Sequence, residues 1–106
     1  MKLLVVAATE GELRLRRGKA DVLITGVGMV ATTYALTRHL QNNRYDFVLQ
    51  AGVAGSFDRG LALGDVVFVT NDQIADLGAE DHDNYLDIHE MGLLEKNSFQ
   101  IGRAHV

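Results

Sequence analysis

The chain contains no cysteine. That excludes a disulfide framework and any thiolate metal site. It suits a reducing compartment, and a cytoplasmic location is expected. No apolar run approaches the ~20 residues that a bilayer-spanning helix requires. The nearest approach opens the chain, "MKLLVVAATEGEL", but its apolar part is short and Glu10 and Glu12 follow directly. A first buried strand is a better reading of it than a signal peptide. A basic excess is missing too, since the formal net charge is −4. Neither nucleic acid nor a membrane is therefore expected as a partner. Internal repeats and low-complexity segments are absent as well. What remains is 47% hydrophobic and 23% charged residues, as in an ordinary soluble globular protein. The 106 residues suffice for one modest core and one domain at most.

Residues 2–8, "KLLVVAA", are a continuous branched apolar run, the pattern of a strand covered on both faces. Residues 11–19, "GELRLRRGK", read as a connector or a stub of helix, too short to argue for nucleic acid. Residues 21–25, "DVLIT", repeat the buried-strand pattern, and "GVG" breaks it. "MVATTYALTRHLQNN" follows as a helix with Val30, Tyr34, Leu36, Thr37 and Leu40 along its apolar face. Residues 46–50, "DFVLQ", give a third strand, and "ALGDVVFVTN" a fourth at about 65–70. Beyond Asn71 the text turns acidic, with a short strand near 72–77 and little regular structure expected afterwards. Strands separated by a helix imply a β-α-β unit, hence parallel pairing and an α/β fold.

Two strands end in glycine-rich turns, "TGVG" and "QAGVAGS". In an open α/β sheet, ligands gather outside the carboxyl ends of the strands. Glycine there either satisfies a turn that needs positive φ or lets a ligand lie against bare backbone. The turns are expected on adjacent strands of one β-α-β unit. "GVGMVA" at 26–31 also matches G-x-G-x-x-A, the dinucleotide fingerprint. A dinucleotide site would want an acid at the end of the following strand, but that strand runs into Gln50-Ala51-Gly52, and no carboxylate comes before Asp58. Glu10 and Glu12 stand just past the first strand, where a carboxylate can take a proton from water or hold a hydroxyl.

The order "VVAATEGEL … TGVGMVATTYAL … VLQAGVAGSF … LALGDVVFV" resembles the nucleoside phosphorylase and nucleosidase superfamily over residues 1–99. Within it the chain looks most like the futalosine hydrolases, on the run "GVAGSFDRGLALGDVVFV…DLGAED". The resemblance implies a phosphorylase/hydrolase-like fold, with a mostly parallel or mixed central sheet and flanking helices, here incomplete. It implies hydrolysis of an N-ribosidic bond through an oxocarbenium-like transition state. Futalosine would yield hypoxanthine and dehypoxanthine futalosine, a step on the futalosine route to menaquinone. By the same resemblance, Glu12 activates the attacking water, with Glu10 as the spare. Thr25, Gly26 and Gly28 lie near the ribose and nucleophile; Ala51, Gly52, Val53, Ala54 and Gly55 floor the sugar and base. Phe57 either flanks the ligand or packs in the core. The partners implied are a small-molecule nucleoside and water, with a homo-oligomer at full length, and neither cofactor nor metal is implied. The phosphorylase branch commonly has a hydroxyl residue between its glycines and an arginine before the turn. This sequence has Val53, Ala54 and no such arginine, which favours water over phosphate as the nucleophile. The alternative is a non-catalytic nucleoside- or dinucleotide-binding α/β module.

Two departures from the family stand out. The stretch between Glu12 and Thr25 is shorter than is usual there. The later half, with the Met-Glu pair on the ribose hydroxyls and the aspartate that protonates the leaving base, has no counterpart. The closing "IGRAHV" is the in-frame translation of ATC-GGA-AGA-GCA-CAC-GTC, a stretch of a common sequencing adapter. Residues 100–106 are therefore expected to be non-native, with the gene continuing past about Phe99 and Arg103 and His105 without meaning. A polypeptide ending there is expected to be inactive. His82 and His89 stand in an acidic run whose spacing matches no ligand pattern, so a solvated loop is expected. Asp76 is a minor candidate for the rim of the site or a dimer contact. His39, near the end of the helix, is expected at the surface.

Overall fold

A computed structural model describes residues 1–13, 18 and 20–101. Most of the 11–19 connector and the 102–106 tail lie outside the described residues. The chain divides into two compact units, Met1–Asp58 and Arg59–Val106.

In the first unit the order is β1 (Leu3–Ala7), a 3₁₀ turn (Glu10–Glu12), β2 (Asp21–Ile24), α1 (Met29–Asn42) and β3 (Phe47–Gln50). The three strands form a parallel sheet in the order β2-β1-β3. Val5 stands opposite Val22 on one side and Leu49 on the other, which fixes the register. This is the α/β pattern that the strand–helix–strand text implies. The glycine turns, however, do not follow adjacent strands. β2 and β3 flank β1, because the longest apolar run takes the place where both strand edges are paired. Parallel pairing still brings all three carboxyl ends to one edge of the sheet.

The core of this unit is β1 itself. Leu4, Val5, Val6 and Ala7 are at most 3% exposed. Fully burying a side chain such as Leu or Val stabilises by about 1.5–3 kcal/mol. β2 was expected to be covered like β1, but it and β3 are the outer strands. Val22, Ile24, Phe47, Val48 and Leu49 stay partly exposed there.

Helix α1 presents an unexpected face. Ala31, Thr32, Ala35, Leu36 and His39 are its half-buried residues, recurring at helical spacing. Val30 and Tyr34, which lead the expected face, are 85% and 67% exposed. The side chains on this face are mostly small, and Ala31 lies against the turn that precedes the helix. A β-carbon on Gly26 would already touch Ala31 Cβ at 3.4 Å. The helix ends where Asn43 Nδ2 donates to the His39 carbonyl at 2.8 Å. His39 is not a free surface residue: its Nε2 lies 2.8 Å from the Tyr45 hydroxyl, which donates to Asp21 Oδ2 at 2.7 Å. Because that hydroxyl proton goes to Asp21, His39 is the donor to Tyr45. Partial burial first, and the Asp21 carboxylate second, raise the Tyr45 hydroxyl above its ordinary value.

In the second unit, β4 (Asn71–Gln73) pairs antiparallel with β7 (Ser98–Gln100), and β5 (Gly78–Asp81) with β6 (Asn84–Asp87). Asn97 is buried and bonds both polar groups of Ile74, at 3.2 and 3.0 Å. Two expectations fail here. The run at 65–70 forms no strand: Val66 and Phe68 are 97% and 69% exposed, with no strand paired alongside. β-Branched residues favour a strand only against a neighbour that covers them. Conversely, the acidic stretch after residue 77 does form regular structure. Asp81 pairs with Asn84 across His82-Asp83, and His82 supplies the positive φ (55°) that so tight a loop needs.

Candidate active site

β1 ends at Ala7 and the chain turns at once. Glu12 N–H donates to the Thr9 carbonyl at 3.3 Å, and Thr9 N–H donates to Glu12 Oε2 at 3.3 Å. The second bond is the reach-back half of a capping box. It folds the Glu12 side chain back over its own turn. The carboxylate then comes to rest beside the exit of β3. A β-carbon built on Gly52 would lie 3.8 Å from both Oε1 and Oε2 of Glu12.

Both glycine turns hang from β1. On one side, Thr25 N–H donates to Ala7 O at 3.0 Å and Gly26 N–H to Ala8 O at 3.1 Å. On the other, Ala51 N–H donates to Val6 O at 2.9 Å. In the first turn φ is +86° at Gly26 and +99° at Gly28. Gly28 has ψ 161°, a region open essentially to glycine alone, and it is the N-cap of α1. Thr25 is buried, and its hydroxyl lies 2.9 Å from Gly26 O, 3.3 Å from Thr32 Oγ1 and 3.4 Å from Ala7 O. Of these, the Gly26 carbonyl is the closest acceptor for its single proton. Thr32, which the sequence did not single out, completes this bracket from the helix; the only hint was a second hydroxyl on the face that packs.

The second turn is different. Neither Gly52 nor Gly55 has φ in the left-handed region. Residues 52–57 are exposed, and Val53 and Phe57 project fully into solvent. Phe57 therefore does not pack in the core.

The two candidate carboxylates diverge. Glu12 is half-buried and faces Gly52, whereas Glu10 is exposed. Glu10 lines an open cavity of about 790 Å³ with Asp21, Val22, Ile24 and His39, and Gly52 is not among its walls. The structure thus joins Glu12 to the second turn and leaves the first turn tied to β1 and α1. Elsewhere, His82 occupies the hairpin loop, and His89 Nδ1 lies 3.0 Å from the Leu94 carbonyl. Asp76 acts on Tyr85: partial burial first, then the Asp76 and Asp87 charges, raise that hydroxyl above its usual value. Among the described residues no helix is long and apolar enough to cross a membrane.

The chain is similar to futalosine hydrolase of Acidothermus cellulolyticus, with 35% identity over 75 residues. That match covers 70% of this chain but 30% of the curated relative. No family model matches the chain. No solved structure matches it either.

Proposed function

We propose that these residues form the water-activating and nucleoside-supporting part of an N-ribosyl hydrolase with a phosphorylase-like fold, acting on futalosine. The observation that supports this most is the Glu12 carboxylate beside the bare backbone of Gly52, at the carboxyl edge of a parallel sheet. The similarity to a futalosine hydrolase supports the choice of substrate. In the reaction, a water oxygen bonds to the anomeric carbon as the bond from that carbon to the base nitrogen breaks. The bonding pair leaves with the base. Glu12 takes the water's proton. Positioned base catalysis of this kind contributes roughly 10²–10⁴ in rate. The departing hypoxanthine must gain a proton, and we assign its donor to a segment outside these residues. The backbone of Ala51–Gly55 would support sugar and base, while Thr25, Gly26 and Gly28 border the ribose. The reading includes a cytoplasmic homo-oligomer.

The test is hypoxanthine release from futalosine, followed by chromatography. It compares this chain with the protein translated from a longer read of its locus. The longer protein is expected to turn over and this chain to be far slower; equal rates would refute the assignment of the proton donor. In the active form, Glu12→Gln is expected to lower the rate by about 10²–10⁴ and Glu10→Gln to leave most of it. An undiminished rate in Glu12→Gln would remove the role given to that carboxylate. The alternative of a dinucleotide-binding module draws on α1 starting directly after the G-x-G at 26–28. Stabilisation of the chain by NAD rather than by futalosine in a thermal shift would favour it.

A further inference from the structure

Glycine loses more backbone freedom on folding than any other residue, so a glycine held in an ordinary conformation invites a reason. Gly52 is such a residue. Its φ lies outside the left-handed region, so no torsion requires it. No collision requires it either. The three atoms nearest to a β-carbon built there lie 3.8, 3.8 and 3.9 Å away, at ordinary van der Waals range. All three belong to one group: Oε1, Oε2 and Cδ of Glu12. Gly52 itself is exposed, so the space that a side chain would fill is open to solvent. Gly55, three residues on, offers the contrast, since a β-carbon there would meet nothing within 4 Å.

We infer that Gly52 is the access residue of the Glu12 carboxylate. Its missing side chain keeps open the face through which water reaches both carboxylate oxygens. An ionised carboxylate offers about four acceptor positions. Thr9 N–H occupies one, on Oε2. The face toward Gly52 leaves others to solvent. A methyl at residue 52 would lie against both oxygens without distorting the backbone. A branched side chain would cover them. What the water then does rests on the nucleosidase reading; access itself does not.

Carbodiimide coupling of the carboxylates to a small amine, with site occupancy read by peptide mass spectrometry, measures that access directly. Glu10 in the same peptide serves as the internal reference. Glu12 labelling is expected to fall severalfold in Gly52→Val, less in Gly52→Ala and not at all in Gly55→Val. Glu10 labelling is expected to hold throughout, and no variant is expected to lower the melting midpoint. Equal Glu12 labelling in the wild type and Gly52→Val would overturn the inference, as would a parallel fall at Glu10. In a form that releases hypoxanthine, Gly52→Val is expected to lower kcat more than it raises KM. Failure of Glu12→Gln to slow that release would remove the water-activating role proposed for Glu12, while the labelling would still decide the access role.

Discussion

In the Thr25–Gly28 turn, glycine answers a torsional demand. Gly26 and Gly28 sit at φ +86° and +99°, and Gly28 caps α1 in a conformation that a side chain resists. In the Ala51–Gly55 turn no such demand exists, and the nearest neighbour of Gly52 is a carboxylate. Both turns leave the same edge of one sheet and both are pinned to β1 by backbone hydrogen bonds. Their glycines nevertheless do different work. One set shapes the chain, and the other keeps a space clear. Glycine in a strand-to-helix turn is therefore weak testimony about ligands until its torsion is known, and glycine without a torsional reason is the better lead.

That contrast can be broken by measurement. Gly28→Ala is expected to cost about 1–3 kcal/mol in urea denaturation, because alanine must adopt a backbone region reserved for glycine. Thr25→Val comes next. It removes the hydroxyl that brackets Ala7, Gly26 and Thr32, at a cost of about 1 kcal/mol, while Thr25→Ser should restore most of it. Gly52→Ala is expected to go the other way, gaining about 0.4–1 kcal/mol by restricting the unfolded chain. If Gly52→Ala were as costly as Gly28→Ala, the two turns would be alike after all. The smallest effect concerns the far end of β2, where Tyr45 joins Asp21 to His39. The folded chain holds the Tyr45 proton to higher pH than the unfolded chain, whose tyrosine titrates near 10.0. The stability it contributes is thus complete below that pH and lost as pH rises through and beyond it. Melting midpoints on the alkaline limb should decline less steeply in Tyr45→Phe than in the wild type.

The sequence disclosed the three parallel strands and the helix because each carries its own signal. β1 is a branched apolar run with no polar interruption, and α1 follows a glycine stop. Sheet order was not legible, since nothing in the text says which of three similar runs is central. The helix face was misjudged in phase. Val30 and Tyr34 outrank Ala31 and Ala35 in hydrophobicity, yet the half-buried face carries the smaller residues. The run at 65–70 shows that propensity without a partner strand makes no strand. The β5–β6 hairpin was missed because its loop is His82-Asp83 rather than an Asn-Gly or Asp-Gly pair. The bond between Tyr45 and Asp21 spans 24 residues, a separation on which local pattern is silent. At the candidate site, Glu12 was legible as an acid after the first strand. Its preference for Gly52 over the first turn was not, because it follows from the reach-back to Thr9.

β3 is an outer strand whose Phe47, Val48 and Leu49 are each nearly half exposed. A strand in that position offers a template to any extended peptide it meets. A net charge of −4 supplies only modest repulsion between molecules. In a concentrated sample, the ceiling on usable protein will thus be set by encounters between neighbours rather than by the melting of any single chain. Purification yield and shelf life will track dilution more closely than temperature.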